Sequence, residues 1–84
     1  MSLADEIREF AKRNYVDTTR RQNAGTVAIR VGDVHEAMGL RSRYAAVYAA
    51  LGAKKFEDTC AVQRVSIRGP VNAPNAEFTY RLEG

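Results

Sequence analysis

The residues with the clearest chemistry in this 84-residue chain are two arginines that stand before a stretch without charge. Arg41 and Arg43 flank Ser42, and the sequence that follows, YAAVYAALGA, contains no charged residue until Lys54. A guanidinium presents five N–H donors in a planar fork that matches phosphate and carboxylate oxygens. This spacing predicts a helix that binds anions at one end and exposes methyl groups along the rest of its surface.

No set of side chains has the makeup of a catalytic, metal or cofactor site. His35 and Asp33 are two positions apart, so they do not face each other on a helix, and His35 is expected to be a surface or half-buried packing residue. Cys60, the single cysteine, is expected to be a small buried apolar residue. The glycines form no phosphate-binding loop. We therefore expect no catalysis, no cofactor, no metal and no small-molecule ligand.

The composition is that of one small globular domain. Thirteen Lys and Arg residues against ten Asp and Glu residues give a net charge of +3, which is compatible with a polyanionic partner without requiring one. A single cysteine excludes an internal disulfide, and no apolar run approaches the roughly 18 residues that would span a bilayer. A cytoplasmic protein without membrane contact is expected. Residues 1–3 and 83–84 resemble vector-derived ends.

The N-terminal part predicts a helix and a strand. Residues 4–16 repeat apolar side chains at helical spacing, and Ser2 with Asp5 would cap that helix. Residues 17–25 show no periodicity and are interpreted as a connection. Residues 26–31, TVAIRV, alternate as a strand with one buried face.

Two helices are expected after the strand. Asp33 and Glu36 form a capping pattern for a short helix over Val34–Met38, which Gly39 would end in the left-handed conformation. A longer helix follows, capped by Ser42 and beginning near Arg43. The pattern leaves open whether it kinks at Gly52 or continues to about Thr59. Its inner side would carry Tyr44, Val47, Tyr48 and Leu51, its opposite side Ser42, Ala46, Ala49 and Ala53, and one flank Arg43, Ala50 and Lys54.

The C-terminal part predicts a β-hairpin. VQRVSI places Val65 and Ile67 on one face, and EFTYRL places Phe78, Tyr80 and Leu82 on one face. The segment between them, RGPVNAPN, is too long for a two-residue turn.

This order of elements resembles the winged helix-turn-helix family. Gly39 falls at the turn glycine of the motif. The positions that the motif keeps apolar are occupied by Val34, Met38, Leu40, Ala45 and Tyr48. The resemblance implies an α+β fold with a three-helix core, a small antiparallel sheet and a C-terminal β-hairpin wing, in a single domain over residues 1–84.

The resemblance also implies a function. In that family the second helix of the motif lies in the DNA major groove, and the wing touches the backbone or the minor groove. We therefore expect this chain to bind double-stranded DNA, as a small transcriptional regulator or as part of a larger DNA-processing system. The residues expected to contact DNA are Arg41, Ser42, Arg43, Ala46, Lys54, Arg64 and Arg68. Alanines cannot hydrogen-bond to bases, so phosphate contacts would dominate and sequence specificity would be modest.

A second interpretation of the alanine-rich helix is a protein-interaction module. Small side chains at Ala46, Ala49 and Ala53 would let another helix pack closely, for instance in a homodimer. In this interpretation the two arginines are solvated surface residues.

Overall fold

The computed structural model describes residues 1–82 and shows an α+β fold with a small antiparallel sheet, which confirms the expected fold class. The helical segments are α1 (Leu3–Ala11), a π-helical turn (Lys12–Val16), α2 (Asp17–Arg21), α3 (Val31–Ala37), α4 (Tyr44–Gly52) and α5 (Lys54–Cys60). The strands are β1 (Thr26–Arg30), β2 (Val62–Arg68) and β3 (Glu77–Leu82). Residues 83–84, which were expected to be vector-derived, lie outside the described part. Within residues 1–82, no helix is long and apolar enough to cross a membrane.

The first helical region is longer than its pattern indicates. The N–H of Asp5 donates to Oγ of Ser2 at 3.1 Å, which confirms the expected N-terminal cap. Helical structure then continues through the π-helical turn and α2, so the interpretation of residues 17–25 as a connection is wrong for their first five residues. The wide turn brings Nζ of Lys12 to 3.2 Å from a carboxylate oxygen of Asp17. Because α2 contains no buried residue, it shows no apolar period by which the sequence could reveal it.

The sheet places the last strand in its centre. The order is β1-β3-β2, and β3 runs antiparallel to both neighbours. Phe78 and Tyr80 of β3 are fully buried, as the alternation predicts. The register of β2 shifts after Arg64, so Val65 is an extra residue in that strand. Val65 is 51% exposed and Ile67 is 40% exposed, so the shared face predicted from their spacing is lost at this irregularity.

The long connection between β2 and β3 accepts hydrogen bonds from the first residues of α3. We call residues 69–76 the β2–β3 loop. The N–H of Val31 donates to the carbonyl of Ala76 at 2.9 Å, and the N–H of Gly32 donates to the carbonyl of Pro74 at 2.8 Å. These two N–H groups have no partner within their own helix. The β2–β3 loop therefore supplies the cap that α3 requires.

The capping pattern predicted for α3 is wrong. The helix begins at Val31, directly after β1, and not at Val34. Asp33 consequently lies inside the helix, where its carboxylate pairs with Nη1 of Arg30 at 2.8 Å. The backbone of the β2–β3 loop occupies the place that the Asp33 side chain was expected to fill.

The alanine-rich segment forms two short helices. Ser42 has a positive φ of 51° and does not cap α4, whose first flanking residue is Arg43. α4 ends at Gly52, Ala53 is extended with ψ 143°, and α5 follows. A side chain at Gly52 would meet the ring of Phe78 at 3.4 Å. The end of α4 therefore lies in contact distance of β3.

The core lies between the helices and the inner face of the sheet. Its largest fully buried side chains are Tyr80, Phe56, Phe78, Ile7, Ile29 and Leu51. The hydroxyl of Tyr80 donates to the carbonyl of Leu51 at 2.6 Å, and its ring centroid lies 5.2 Å from that of Phe56. Tyr80 therefore holds together the central strand, the end of α4 and α5.

Candidate nucleic-acid interface

Two of the predicted contact arginines, Arg41 and Arg43, lie on the connection between α3 and α4, residues 38–43, which we call the α3–α4 turn. Gly39 has a φ of 67°, which confirms the predicted left-handed position, and Ser42 also has a positive φ. These two reversals turn the chain sharply ahead of α4. Arg41, Ser42 and Arg43 are all exposed as a result.

Most cationic side chains of this domain are already bonded within it. Salt bridges to carboxylates are made by Arg8, Lys12, Arg13, Arg20, Arg30, Lys54 and Lys55. Hydrogen bonds to uncharged oxygens are made by Arg21, Arg64 and Arg81. Over residues 1–82, the side chains of Arg41, Arg43 and Arg68 have neither kind of partner, and all three are exposed. An exposed guanidinium without an internal acceptor keeps all its donors for an external anion.

Three other predicted contact residues are engaged inside the domain. Nη1 of Arg64 donates to the carbonyl of Gly52 at 3.1 Å, at the C-terminal end of α4. Lys54 pairs at 3.2 Å with a carboxylate one turn further along α5. Ala46 is half-buried and packs against the core. The remaining residues of the predicted site are exposed, and their side chains have no hydrogen-bond or salt-bridge partner among residues 1–82: Arg41, Ser42, Arg43 and Arg68.

The exposed face of α4 is narrower than the helical spacing predicts. Ala45 and Ala49 are exposed, and Val47 and Leu51 are buried as expected. Ala50, which was expected on a flank of the helix, is 1% exposed. The outward surface of α4 therefore includes the methyl groups of Ala45 and Ala49, and its hydroxyl-bearing side chains, Tyr44 and Tyr48, are half-buried.

The β2–β3 loop is held in a defined position relative to α3. A side chain at Gly32 would place its Cβ 2.7 Å from the carbonyl oxygen of Pro74, so the two backbones touch only because Gly32 has none. Arg68 precedes the loop, and Gly69 has a φ of 87° where the chain leaves β2. Val71 in the loop is 69% exposed. The loop and the α3–α4 turn are thus attached to opposite ends of one short helix.

An open groove of about 420 Å³ lies between the α3–α4 turn and the β2–β3 loop. We call it the turn–loop groove. The polar and aromatic side chains that line it, with the loop proline, are Arg30, His35, Glu36, Arg41, Tyr44 and Pro74. One of the unpaired arginines therefore faces the same space as the loop.

His35 has a structural role that sequence reasoning missed. It is 6% exposed, and its Nε2 accepts the backbone N–H of Arg43 at 3.1 Å. Its ring stacks on that of Tyr44, with centroids 4.0 Å apart and planes 20° apart. His35 thus holds the start of α4 through both contacts, the hydrogen bond to Arg43 and the stack on Tyr44. His35 and Arg43 are eight positions apart across an irregular turn, and no periodic pattern in the sequence pairs them.

The single thiol is buried, and the described residues contain no group of metal-ligating side chains. Cys60 is 2% exposed, and burial raises the pKa of its thiol to about 11. The thiol is therefore protonated at neutral pH and shielded from reagents. In residues 1–82, no three His, Cys, Asp or Glu side chains are grouped so that they would hold a metal ion.

Comparison with known proteins adds no relative. No protein-family model, curated protein or solved structure matches this chain.

Proposed function

We propose that this chain is a winged helix-turn-helix domain that binds double-stranded DNA through phosphate contacts, with modest sequence specificity. The observation that carries the proposal is the position of the three unpaired arginines. Arg41 and Arg43 precede α4, and Arg68 precedes the β2–β3 loop. These are the two places where a domain of this architecture meets DNA, at the start of the recognition helix and at the wing.

The arrangement of the elements supports the same proposal. In this interpretation α3 and α4 are the two helices of the motif, and the β2–β3 loop is the wing. The loop is hydrogen-bonded to the first turn of α3, while the α3–α4 turn follows the last turn of the same helix. A duplex lying along this side would meet the turn and the wing together.

Modest specificity follows from the surface of α4. Base edges are distinguished by hydrogen bonds and by contact with the thymine methyl group. The exposed side chains of α4 include the methyl groups of Ala45 and Ala49, so hydrogen bonding to bases would rely mainly on Arg41, Ser42 and Arg43. Such a protein binds many sequences and is suited to a small regulator that gains selectivity from a second copy or from a larger assembly.

The test compares wild-type protein with the double variant Arg41→Ala, Arg43→Ala on a short random-sequence duplex, by fluorescence anisotropy over a salt series. The slope of log K for association against log[salt] is negative, and the loss of two phosphate contacts is expected to reduce its magnitude by about 1.8. The affinity at about 0.1 M salt is expected to fall about 60-fold. The matched control is Arg13→Ala, Arg21→Ala, which removes the same charge from exposed positions on the first helical region. Equal slopes for the two double variants, or no binding by the wild type at low salt, contradict the proposal.

A second candidate function is a helix-docking module that forms a homodimer. The observation that favours it is the uncharged outward surface of α4, where Ala45 and Ala49 are exposed. Ala49→Glu would then dissociate the dimer with little change in the stability of the monomer. Analytical ultracentrifugation decides this, because a wild-type protein that stays monomeric at every concentration has no such interface.

A further inference from the structure

The floor of the turn–loop groove contains a polar atom whose partner lies outside the domain. Nε2 of His35 accepts the N–H of Arg43, so in the neutral ring the proton is on Nδ1. Within residues 1–82, Nδ1 has no hydrogen-bond partner, although His35 is more than nine-tenths buried. Every completely buried polar side-chain atom in this part of the chain does have a partner. Nδ1–H therefore reaches the surface, and the surface that His35 lines is the groove.

Two guanidinium groups line the same groove. Arg41 comes from the α3–α4 turn and has no internal partner. Arg30 comes from the end of β1 and pairs with Asp33, but both side chains of this pair are about half exposed, at 44% and 56%. Ion pairs with such exposure add little stability, so Arg30 exchanges its acceptor readily. The groove thus combines a buried N–H donor with two cations.

These donors match a compact anion with several acceptor oxygens. Guanidinium groups pair with phosphate through two parallel hydrogen bonds, and a partly desolvated N–H donor adds a third direction of approach. Gly39, at the edge of the groove, has no atom within 4 Å of the place its side chain would occupy, so the backbone leaves room there. Glu36 also lines the groove and has no partner among residues 1–82, and its carboxylate opposes an anion.

We infer that the turn–loop groove binds one phosphate group, with Nδ1–H of His35 and the guanidinium groups of Arg41 and Arg30 as donors. The inference rests on the proposed function in naming the phosphate as one of the DNA backbone, while a free phosphate ester has the same chemistry. It assigns Arg30, an arginine already paired in the free protein, to the interface. It also gives His35 a role beyond support of α4.

The first measurement compares Arg30→Ala with Arg13→Ala on the same random-sequence duplex. Both arginines are paired with a carboxylate close by in sequence in the free protein, so the control matches the charge and the lost ion pair. Arg30→Ala is expected to reduce the magnitude of the salt slope by about 0.9 and to weaken the affinity at about 0.1 M salt about eightfold. Arg13→Ala is expected to change neither quantity. Glu36→Gln is expected to strengthen binding, with Glu6→Gln as its control.

The second measurement follows the imidazole nitrogens of His35 by NMR in wild-type protein, first with the duplex and then with inorganic phosphate in a chloride buffer. A shift of the Nδ1 signal with the duplex is expected. One outcome separates the two proposals: Arg30→Ala binds DNA as Arg13→Ala does, the Nδ1 signal does not shift with the duplex, and the Arg41, Arg43 double variant loses binding. In that case the groove inference is overturned and the DNA proposal stands. If inorganic phosphate moves Nδ1 but the duplex does not bind, the groove takes a free phosphate ester and the DNA proposal fails. If neither the duplex nor inorganic phosphate binds or shifts the Nδ1 signal, the groove inference and the DNA proposal both fail.

Discussion

The substitution Gly32→Ala tests whether the β2–β3 loop is attached to α3 as tightly as the structure shows. Gly32 is in the first turn of α3, and its N–H donates to the carbonyl of Pro74 at 2.8 Å. The Cβ of an alanine there would lie 2.7 Å from that same oxygen and 3.2 Å from Cβ of Pro74. The obstacle is backbone, which does not rotate away as a long side chain would. The loop itself has to move.

The size of the effect follows from these distances. An ordinary contact requires at least 3.4 Å, so the loop must withdraw by about 0.7 Å, and the hydrogen bond then stretches to about 3.5 Å. Loss of that bond costs about 1 kcal/mol, and displacement of the loop weakens the neighbouring bond from Val31 as well. The better helix propensity of alanine returns at most about 1 kcal/mol. We expect a net loss of about 1–2 kcal/mol, or about 5–15 °C in Tm for a domain of this size.

Urea and thermal unfolding followed by circular dichroism measure this difference. The matched control is Gly25→Ala, because Gly25 has nothing within 4 Å of its Cβ position. That variant is expected to be neutral or slightly more stable, since alanine restricts the unfolded chain. If Gly32→Ala is as stable as Gly25→Ala, the β2–β3 loop is not held against α3, and α3 does not link this loop to the α3–α4 turn.

Two further predictions concern the core. Tyr80→Phe leaves the carbonyl of Leu51 without its buried donor and is expected to cost about 1–2 kcal/mol, measured as a lower urea midpoint with an unchanged slope; an unchanged midpoint would mean that the bond contributes nothing. Burial raises the pKa of the Cys60 thiol from 9.0 to about 11, so the folded state holds this proton more tightly than the unfolded state. The corresponding stability is complete below pH 9 and is lost as the pH rises from 9 to about 11. The loss of unfolding free energy over this range should be shallower in Cys60→Ala, and identical profiles would contradict the assignment.

Regular alternation made β1 and β3 predictable. Val27 and Ile29 of β1 are buried on one face, as are Phe78 and Tyr80 of β3. In each of these two strands one side faces the core and the other is more exposed, so burial leaves a period of two in the sequence. Gly39 was predictable for a related reason, because a positive φ at a helix end favours glycine strongly.

The elements that sequence reasoning missed depend on distant partners. α2 is polar throughout and is attached by Arg20, whose guanidinium donates to the carbonyls of Cys60 and Ala61 at 3.0 and 3.3 Å. The cap of α3 comes from a loop that lies about forty residues further along the chain. The extra residue at Val65 interrupts an alternation that looked regular. Such contacts link segments far apart in sequence, so no local pattern records them.

The candidate site also contains residues that the sequence indicated and residues that only the packing reveals. The sequence indicated Arg41 and Arg43 because two arginines stand at the start of an uncharged stretch. It did not distinguish these arginines from Arg64, which the structure bonds to the end of α4. Nor did it indicate His35, whose surroundings form only when the α3–α4 turn brings the backbone N–H of Arg43 to Nε2 of its ring. Residue type predicts which groups are able to bind an anion, and packing decides which of them remain available.

The central position of β3 has a consequence for how the domain is made. Residues 77–82 leave the ribosome after β1 and β2, yet both of these strands pair only with residues 77–82. Until then β1 and β2 have no hydrogen-bonded neighbour, and the side chains that pack on Phe78 and Tyr80 remain open to water. The sheet therefore cannot form in stages during synthesis, and a nascent chain that stalls before β3 leaves the side chains that pack on that strand exposed to chaperones and proteases.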